Sequence, residues 1–459
     1  MLGIHGVGRA GADYYLSDPA RELPAPMPGR WTGGAAAALG LEGELRPGDF
    51  RRVLQGWHPQ TGQPMGSGRT STAAFDLTFS APKSVSVLFA LGGEEAARCL
   101  ADTHAAAVAG ALRYLEQHGV TAGRRSGLER IVVPTTGMIA GQFTHGVNRN
   151  GDPHLHSHVV MANLVHGVDG RWSACDRRGI EAHGRAASGV YAAHLRAGLT
   201  SSLGVRWDGA PGRPPEIVGV APELLGEFSS RAADIRRRMH EVGAHSARAG
   251  RVAWVATRPA VKPGTPYAEL APEWRRRARA AGWATGLGLA PARPPPSPRL
   301  LDEHHFAGVI SLTPHGGARR RDVVVAFAAA ARQGIEAAPL GNLVDHWAPT
   351  ASVGVAEPLL RRRDVVPANH LLRALGPRPL DPAGHALWAG AARVLDAYRD
   401  RWGQDRTTAT LGVAGSTAGL SSLPPARLAD HIRTARHLET VRSRLRLGEP
   451  AEVDLGLGR

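Results

Sequence analysis

Three histidines occur at a spacing that suits a metal centre. His145 is followed, after ten intervening residues, by His156 and then by His158, an H-x10-H-x-H pattern. Residues 155–160 are typical of a strand, on which side chains two residues apart share one face. We therefore expect His156 and His158 to point the same way. Three imidazoles that converge on one point form a divalent-metal site with open positions, which is what a catalytic metal requires.

The segment between these histidines predicts a turn. Residues 148–153 read Asn-Arg-Asn-Gly-Asp-Pro, a run of turn formers between two extended stretches, and such a turn can return His145 to the common face. His154 lies two residues before His156 and would therefore share the same face of the strand. We nevertheless expect it to be solvated at the strand start, because Pro153 disrupts regular pairing there. Chance histidine pairs are common in a chain with 21 histidines, so an incidental H-x-H stays open as the alternative.

The charge balance favours an anionic partner. The 459 residues carry a formal net charge of +15 and a pI near 11.0, which points first to nucleic acid. Lys83 and Lys262 are the only lysines, and a GC-rich genome enriches arginine whatever the function. Charge alone therefore does not decide the partner, although dispersed arginines still bind phosphate through counterion release.

Several classes of protein are disfavoured. No stretch approaches the roughly 18 apolar residues of a membrane helix, so we expect no membrane insertion. The N-terminal residues 1–7 lack a charged region followed by an apolar one, so no secretory signal is expected. The two cysteines, Cys99 and Cys175, form no CxxC motif or disulfide framework, which fits the cytoplasm. A phosphate-binding P-loop is absent from the sequence.

Hydrophobic patterning predicts a chain of mixed strands and helices. Strands are predicted at 73–79, 130–133, 138–143 and 155–160, and helices at 94–118, 186–202, 222–242, 246–257, 268–281, 322–333 and 382–402. Residues 287–298 contain five prolines and are typical of a linker. We therefore predict a first domain over 1–285, a Pro-rich linker over 286–300 and a mainly helical region of unknown role over 301–459.

Four motifs in order give the chain a family resemblance. They are the pair Tyr14-Tyr15, the segment Gly-Arg-Trp-Thr-Gly-Gly at 29–34 with its continuation to 43, the segment Asp-Leu-Thr-Phe-Ser-Ala-Pro-Lys-Ser-Val-Ser at 76–86, and His145 with Leu-His-Ser-His-Val-Val-Met-Ala-Asn at 155–163. Together they resemble the MobF class of conjugative relaxases, the TrwC/TraI type. The resemblance covers roughly residues 1–285.

The resemblance implies a fold and a reaction. The implied fold is α+β, an HUH-endonuclease-like antiparallel sheet with flanking helices. The implied activity is that of a DNA nickase and transesterase at the transfer origin of a plasmid or integrative element. A tyrosine attacks the phosphodiester, giving a 5′-phosphotyrosyl link and a free 3′-hydroxyl. The implied partners are single-stranded DNA, the origin hairpin, and accessory relaxosome and coupling proteins.

The resemblance also assigns roles to residues. Tyr14, Tyr15 and Asp76 become the catalytic candidates, and His145, His156 and His158 the ligands of a divalent metal, Mg²⁺ or Mn²⁺. In the family pattern the first tyrosine of the leading pair attacks, which favours Tyr14, with Tyr15 packing or supporting. Asp76 either orients a ligand histidine or accepts the phenol proton. Without the resemblance, the tyrosines would be ordinary aromatics and Asp76 a strand-edge residue in a turn network.

Two departures keep other functions open. Many relatives carry a second tyrosine pair a few residues on, and residues 16–24 hold none. Relatives often continue into a helicase, so we expect a relaxase domain without one: a short mobilisation protein, a fragment or a remnant. The first alternative function is a catalytically inactive remnant that still binds origin DNA. The second is a three-histidine oxygenase, which the basic charge and the lack of a matching carboxylate ligand disfavour.

Overall fold

The computed structural model describes residues 1–8, 11–16, 27–66, 71–126, 129–209, 214–242, 266–283, 317–347, 360–361 and 425–447, with scattered positions between 387 and 398. Its strands are β1 (Leu2–Gly8), β2 (Arg30–Thr32), β3 (Thr72–Ser80), β4 (Thr121–Ser126), β5 (Glu129–Pro134), β6 (Ala140–Val147), β7 (Pro153–Ala162), β8 (Val165–His166), β9 (Trp172–Ser173), β10 (Trp207–Asp208), β11 (Glu216–Ile217), β12 (Gly317–Ala318) and β13 (Leu360–Arg361). Its helices are α1 (Ala12–Leu16), α2 (Gly34–Ala38), α3 (Pro47–Leu54), α4 (Lys83–Leu91), α5 (Gly93–His118), α6 (Arg177–Leu203), α7 (Pro222–Glu227), α8 (Ser230–Glu241), α9 (Tyr267–Ala280), α10 (Arg320–Ala330), α11 (Ala337–Trp347) and α12 (Pro425–Leu447).

The main sheet has five strands in the order β1-β3-β7-β6-β2, with every neighbouring pair antiparallel. The predicted strands at 73–79 and 155–160 form the cores of β3 and β7, whereas the strand predicted at 138–143 overlaps only the first half of β6. The predicted strand at 130–133 lies in β5, which pairs with β4 in a separate hairpin. Strand β1 was not predicted, because three glycines in seven residues weaken its local signal. The expected α+β fold is confirmed.

Helices α5 and α6 pack together against one face of this sheet. Leu155, Ser157 and Val159 of β7 point to that face and are buried. Helix α6 begins nine residues before the predicted start at 186, because the side chain of Asp176 accepts a hydrogen bond from the Arg178 amide and caps the helix there. The sequence prediction of that boundary was wrong.

A buried polar network links the two helices to the strands. His104 of α5 lies 2.8 Å from the Tyr191 hydroxyl of α6 through Nδ1 and 2.9 Å from Ser157 Oγ through Nε2. Ser157 Oγ in turn lies 2.9 Å from Thr144 Oγ1 of β6. Burial lowers the pKa of His104 to about 3, so its ring is neutral. The network therefore connects β6 and β7 to the helical layer on the face of the sheet that α5 and α6 cover.

The opposite face of the sheet carries the histidines and is partly covered by short elements. An apolar cluster there joins α1, α2, α3 and β2 to the sheet; its largest buried members are Tyr15, Phe50 and Phe143. Phe50 and Phe143 pack edge to face at 5.6 Å between ring centroids. This cluster fixes the N-terminal segment, which includes both tyrosines, on the histidine face.

Two later helices replace the single helix predicted at 222–242. The helix is interrupted between α7 and α8, where the side chain of Phe228 is buried in the core. The helix predicted at 268–281 is confirmed as α9, with Trp274 fully buried. The helix predicted at 246–257 and the Pro-rich linker lie outside the described residues.

The chain divides into two compact units. The first comprises 1–301 and 320–357, and the second 302–319 and 358–459. In the first unit, α10 packs on α6, where Arg196 Nη2 donates to the carbonyls of Ala328 and Ala331 at 2.8 and 3.1 Å. The second unit contains the pair β12–β13 and helix α12. The predicted boundaries at 285 and 300 stay a prediction.

Among the helices in the described ranges, none has both the length and the apolar character that a bilayer span requires.

Candidate active site

The structure brings the three predicted histidines together on one face of the sheet. His145 of β6 lies directly opposite His156 of β7 in the antiparallel register, and His158 follows two residues on. The ring centroids are 5.2 Å apart for His145 and His156, 5.4 Å for His145 and His158, and 5.1 Å for His156 and His158. The turn predicted at 148–153 forms, with the Asn148 amide donating to the Asp152 carbonyl at 2.9 Å.

Two of these rings are held in the tautomer that a metal ligand needs. His158 Nδ1 donates to Asp76, at 2.9 and 3.0 Å from the two carboxylate oxygens. His156 Nδ1 donates to the backbone carbonyl of His154 at 2.8 Å. Because each Nδ1 carries the proton, each Nε2 carries the lone pair. Burial and the neighbouring imidazoles hold the pKa of His156 well below its usual value, which keeps that ring neutral.

The prediction that His154 is solvated at the strand start was wrong. The register does shift beside Pro153, which pairs with Val147, but this irregularity does not leave His154 in solvent. The His154 ring is half-buried, with Nε2 at 3.2 Å from Ser80 Oγ and its centroid 4.6 Å from that of His156. Burial lowers its pKa to about 3. His154 therefore lines the wall of the site, and its carbonyl orients His156.

The residue types at the site fit a divalent ion. Among the residues that the structure describes, no three His, Cys, Asp or Glu side chains are already arranged to hold one ion together. An ion would thus have to draw the three imidazoles inward. Their shared face, the outer hydrogen bonds of His156 and His158, and the neutral state of His156 all suit that step.

The two tyrosines occupy different environments although they are adjacent in α1. Tyr15 is 8 % exposed, and its hydroxyl donates to Asp76 Oδ2 at 3.0 Å. Its ring lies 5.3 Å from that of His158. Tyr14 is 39 % exposed, and its hydroxyl accepts a hydrogen bond from Arg149 Nη2 at 3.0 Å. The buried position of Tyr15 fits the packing or supporting role expected of it.

Asp76 connects the tyrosine pair to the histidines. It is 5 % exposed and accepts hydrogen bonds from Tyr15, from His158 and, at 3.1 Å, from the hydroxyl of Thr78. The contact with His158 is the one expected of a carboxylate that orients a ligand histidine. Its role as a proton acceptor stays a prediction.

Arg149 is a site residue that the sequence did not predict. Its guanidinium donates to the Tyr14 hydroxyl and lies 5.4 Å from the centre of the Tyr14 ring. In the sequence it was only a member of the turn at 148–153. A cation four residues after His145, beside a predicted metal site that acts on phosphate, is the signal that could have identified it.

Comparison with known proteins gives consistent matches. The model of the family described as TrwC relaxase matches residues 5–281. The multifunctional conjugation protein TraI of Escherichia coli is 34 % identical over 172 residues, which are 37 % of this chain and 10 % of TraI. TraI of Escherichia coli strain K12 is 35 % identical over 178 residues, 38 % of this chain and 10 % of that protein. The matched region is thus about a tenth of the length of these curated relatives.

Solved structures also match, each over 62 % of this chain. A copper-bound conjugative relaxase TrwC in complex with oriT DNA superposes with a TM-score of 0.57 at 26 % identity, covering 62 % of this chain and 100 % of that one. A metal-bound TrwC complex with oriT DNA gives 0.57 at 27 % identity and the same coverage. A TrwC complex with a 27-mer DNA that comprises the recognition hairpin and the cleavage site gives 0.56 at 26 %.

Proposed function

The chain belongs to the TrwC relaxase family, and from this premise we propose that it is a conjugative relaxase that nicks one DNA strand at a transfer origin. The curated relatives are described as conjugation proteins, and the matched TrwC structures hold oriT DNA. The observation that carries the proposal is the position of Asp76, which contacts both Tyr15 and His158. One carboxylate thereby joins the candidate nucleophile pair to the candidate metal ligands.

The proposed reaction is a transesterification at phosphorus. The Tyr14 oxygen attacks the scissile phosphate, the bond from phosphorus to the 3′-oxygen breaks, and a 5′-phosphotyrosyl link and a 3′-hydroxyl result. Asp76 is the proposed acceptor of the phenol proton; because it contacts the Tyr15 hydroxyl and not that of Tyr14, the proton must reach it by a relay, and the leaving 3′-oxygen takes a proton from solvent water. Arg149 holds the Tyr14 oxygen from the solvent side. A divalent ion on His145, His156 and His158 would neutralise the phosphodiester charge and polarise a phosphoryl oxygen.

The identity of the metal is a separate part of the proposal. Mg²⁺ or Mn²⁺ is the predicted ion. A set of three neutral imidazoles is softer than Mg²⁺ prefers and suits Zn²⁺, Cu²⁺ and Ni²⁺ well. The matched TrwC structures described as metal-bound and copper-bound support a divalent ion without selecting one. Calorimetric titration of the metal-free protein with each ion, followed by cleavage assays, identifies the ion that is bound and active.

The proposed substrate and setting follow from the same premise. Single-stranded DNA at an origin hairpin is the proposed substrate, and the net charge of +15 favours it. Accessory relaxosome proteins and a coupling protein are the proposed partners, in the cytoplasm, where the donor DNA lies.

A labelled-DNA assay tests the proposal. The full chain is incubated with end-labelled single-stranded oligonucleotides that tile the DNA next to its gene, with Mg²⁺ or Mn²⁺. We expect a covalent adduct that survives denaturing electrophoresis and disappears in EDTA. Specific DNA binding without any adduct would instead support the inactive remnant. Neither binding nor adduct on any tile would reject both functions.

A further inference from the structure

The turn that joins the two histidine strands is held by helices from outside the sheet. The indole of Trp274 in α9 donates to the Gly151 carbonyl at 2.8 Å. The side-chain amide of Asn150 donates to Asp234 of α8 at 2.7 Å. These helices follow the turn by 84 and 123 residues in sequence, so its conformation is fixed by tertiary contacts as well as by its own turn residues.

Asp152 is the centre of this anchorage. It is 1 % exposed, which makes it one of the most buried carboxylates among the described residues. One oxygen accepts from the backbone amide of Ser230 at 3.0 Å, from the Ser230 hydroxyl and from Asn148 at 3.4 Å. The other oxygen accepts from Arg277 Nη2 of α9 at 3.3 Å. A buried carboxylate with donors from three segments holds those segments in one arrangement.

The same turn carries the arginine that holds the candidate nucleophile. Arg149 lies three residues before Asp152 and donates to the Tyr14 hydroxyl at 3.0 Å. Only two residues separate Arg149 from Asp152. Asp152 is held by Ser230 and Arg277, and Arg149 contacts Tyr14. A shift of the turn by one ångström would therefore move the guanidinium away from the Tyr14 oxygen.

We propose that Asp152 is a positioning residue for the nucleophile: it fixes the 148–153 turn against α8 and α9 so that Arg149 holds the Tyr14 oxygen over the histidine face. The inference rests on the proposed function, in which Tyr14 attacks the phosphate. It predicts that Asp152 acts on the rate of the chemical step and does so through Arg149, without touching DNA itself.

The first test is D152N, which keeps the shape of the side chain and removes the charge that meets Arg277. We expect the single-turnover rate of adduct formation at saturating DNA to fall about 10- to 100-fold, the size of effect that a misplacement of about 1 Å produces. The Kd for uncleaved single-stranded DNA should stay within about 2-fold. The matched control is E241Q, which neutralises an exposed acid of α8 that pairs with Arg238 and should leave both quantities unchanged.

A double-mutant cycle tests the route through Arg149. If Asp152 acts through Arg149, the R149Q/D152N variant should be no slower than R149Q alone, because the second change removes nothing further. Independent effects that multiply would overturn the inference, as would a D152N variant with the wild-type rate. If D152N does not fold, S230A removes one donor to Asp152 and keeps the backbone donor, and the same cycle with R149Q then decides.

Different results would reject the relaxase activity and the role of Asp152. If the wild-type chain forms no adduct on any DNA, the proposed function fails. If the wild type forms the adduct, Y14F abolishes it and the cycle shows independent effects, the relaxase stands and only the role of Asp152 is rejected.

Discussion

The hydroxyl of Tyr15, and not that of Tyr14, donates to Asp76, at 3.0 Å. Tyr15 is therefore part of the buried layer that joins the carboxylate to His158, whereas Tyr14 meets Arg149 near the surface. A substrate phosphate can reach an exposed hydroxyl more readily than a buried one. In the proposed assignment, Tyr14 is therefore the nucleophile and Tyr15 supports the site.

Replacing Asp76 by Asn separates its two candidate roles. The change removes the negative charge that accepts the His158 proton, so affinity for the divalent ion should fall about 10- to 100-fold, as for other outer partners of ligand histidines. Adduct formation should fall about 10²- to 10⁴-fold if Asp76 also takes the phenol proton. Calorimetry and single-turnover assays measure the two effects. Unchanged metal affinity would reject the orienting role.

Replacing the ligand candidates should abolish cleavage and spare the fold. H156A or H158A removes one of three imidazoles, so metal affinity and adduct formation should collapse while DNA binding persists. H154A is the matched control, because its side chain contacts Ser80 and its backbone carbonyl, which orients His156, survives the change. Cleavage that persists in the metal-free protein would contradict the metal role. Equal losses in H154A and H156A would show that the triad is misassigned.

Buried neutral histidines make the protein less stable in acid. Because the pKa of His104 is about 3 when folded and 6.5 when exposed, the unfolded chain binds the proton first as the pH falls. The stability from the neutral ring is complete above pH 6.5 and is lost as the pH falls toward 3. At pH 5 the loss from His104 is about 2 kcal/mol.

Denaturant unfolding at pH 7 and pH 5 checks this expectation. Wild type should lose more unfolding free energy between the two values than H104Q, by about 2 kcal/mol, even though H104Q is less stable at both. Replacement of the exposed His240 by Gln should retain the wild-type difference. An identical pH dependence in wild type and H104Q would contradict the neutral buried state.

Local patterns predicted the parts of the site that are close in sequence. The alternation of His156 and His158 and the turn at 148–153 place three imidazoles on one face, and strand register needs only those residues. Strand β1 was not predicted because its glycines weaken the local strand signal, and it forms because it pairs with β3. The expectation for His154 was wrong because its ring packs against Ser80, which is distant in sequence, and against the ring of His156.

The rest of the site depends on partners that are distant in sequence. Tyr15 and Asp76 are 61 residues apart, Arg149 and Tyr14 are 135 apart, and Asp152 and Ser230 are 78 apart. No periodicity within a helix or strand encodes such pairs. The family resemblance supplied Tyr15 and Asp76, but it did not indicate the contact of Arg149 or the anchorage of Asp152.

Binding of single-stranded DNA should depend steeply on salt. If arginines of the surface follow the phosphate backbone, the logarithm of the affinity should fall linearly with that of the salt concentration, by about 0.7 per phosphate contact. Fluorescence anisotropy with an oligonucleotide between low and moderate salt gives the slope. A flat response would show that the net charge of +15 reflects composition and not a binding surface.

Substitution of each tyrosine by phenylalanine tests which of the two attacks the phosphate. Y14F keeps the ring and removes the hydroxyl that Arg149 contacts, so DNA binding should persist and the covalent adduct should disappear. Y15F removes the donor to Asp76 and should slow adduct formation without abolishing it. Residues 16–24 contain no tyrosine, so no nearby second pair can replace Tyr14.

Mass spectrometry of the trapped peptide then identifies the nucleophile directly. After nuclease digestion of the adduct, the proposed assignment places the remaining nucleotide on Tyr14. A nucleotide on Tyr15 would reverse the assignment and make the Asp76 contact the one that activates the nucleophile. A nucleotide on neither residue would reject the tyrosine mechanism. With Tyr14 occupied by DNA, a second transesterification that closes the transferred strand must use Tyr15 or a second copy of the chain, and mixing Y14F with Y15F protein distinguishes these two routes.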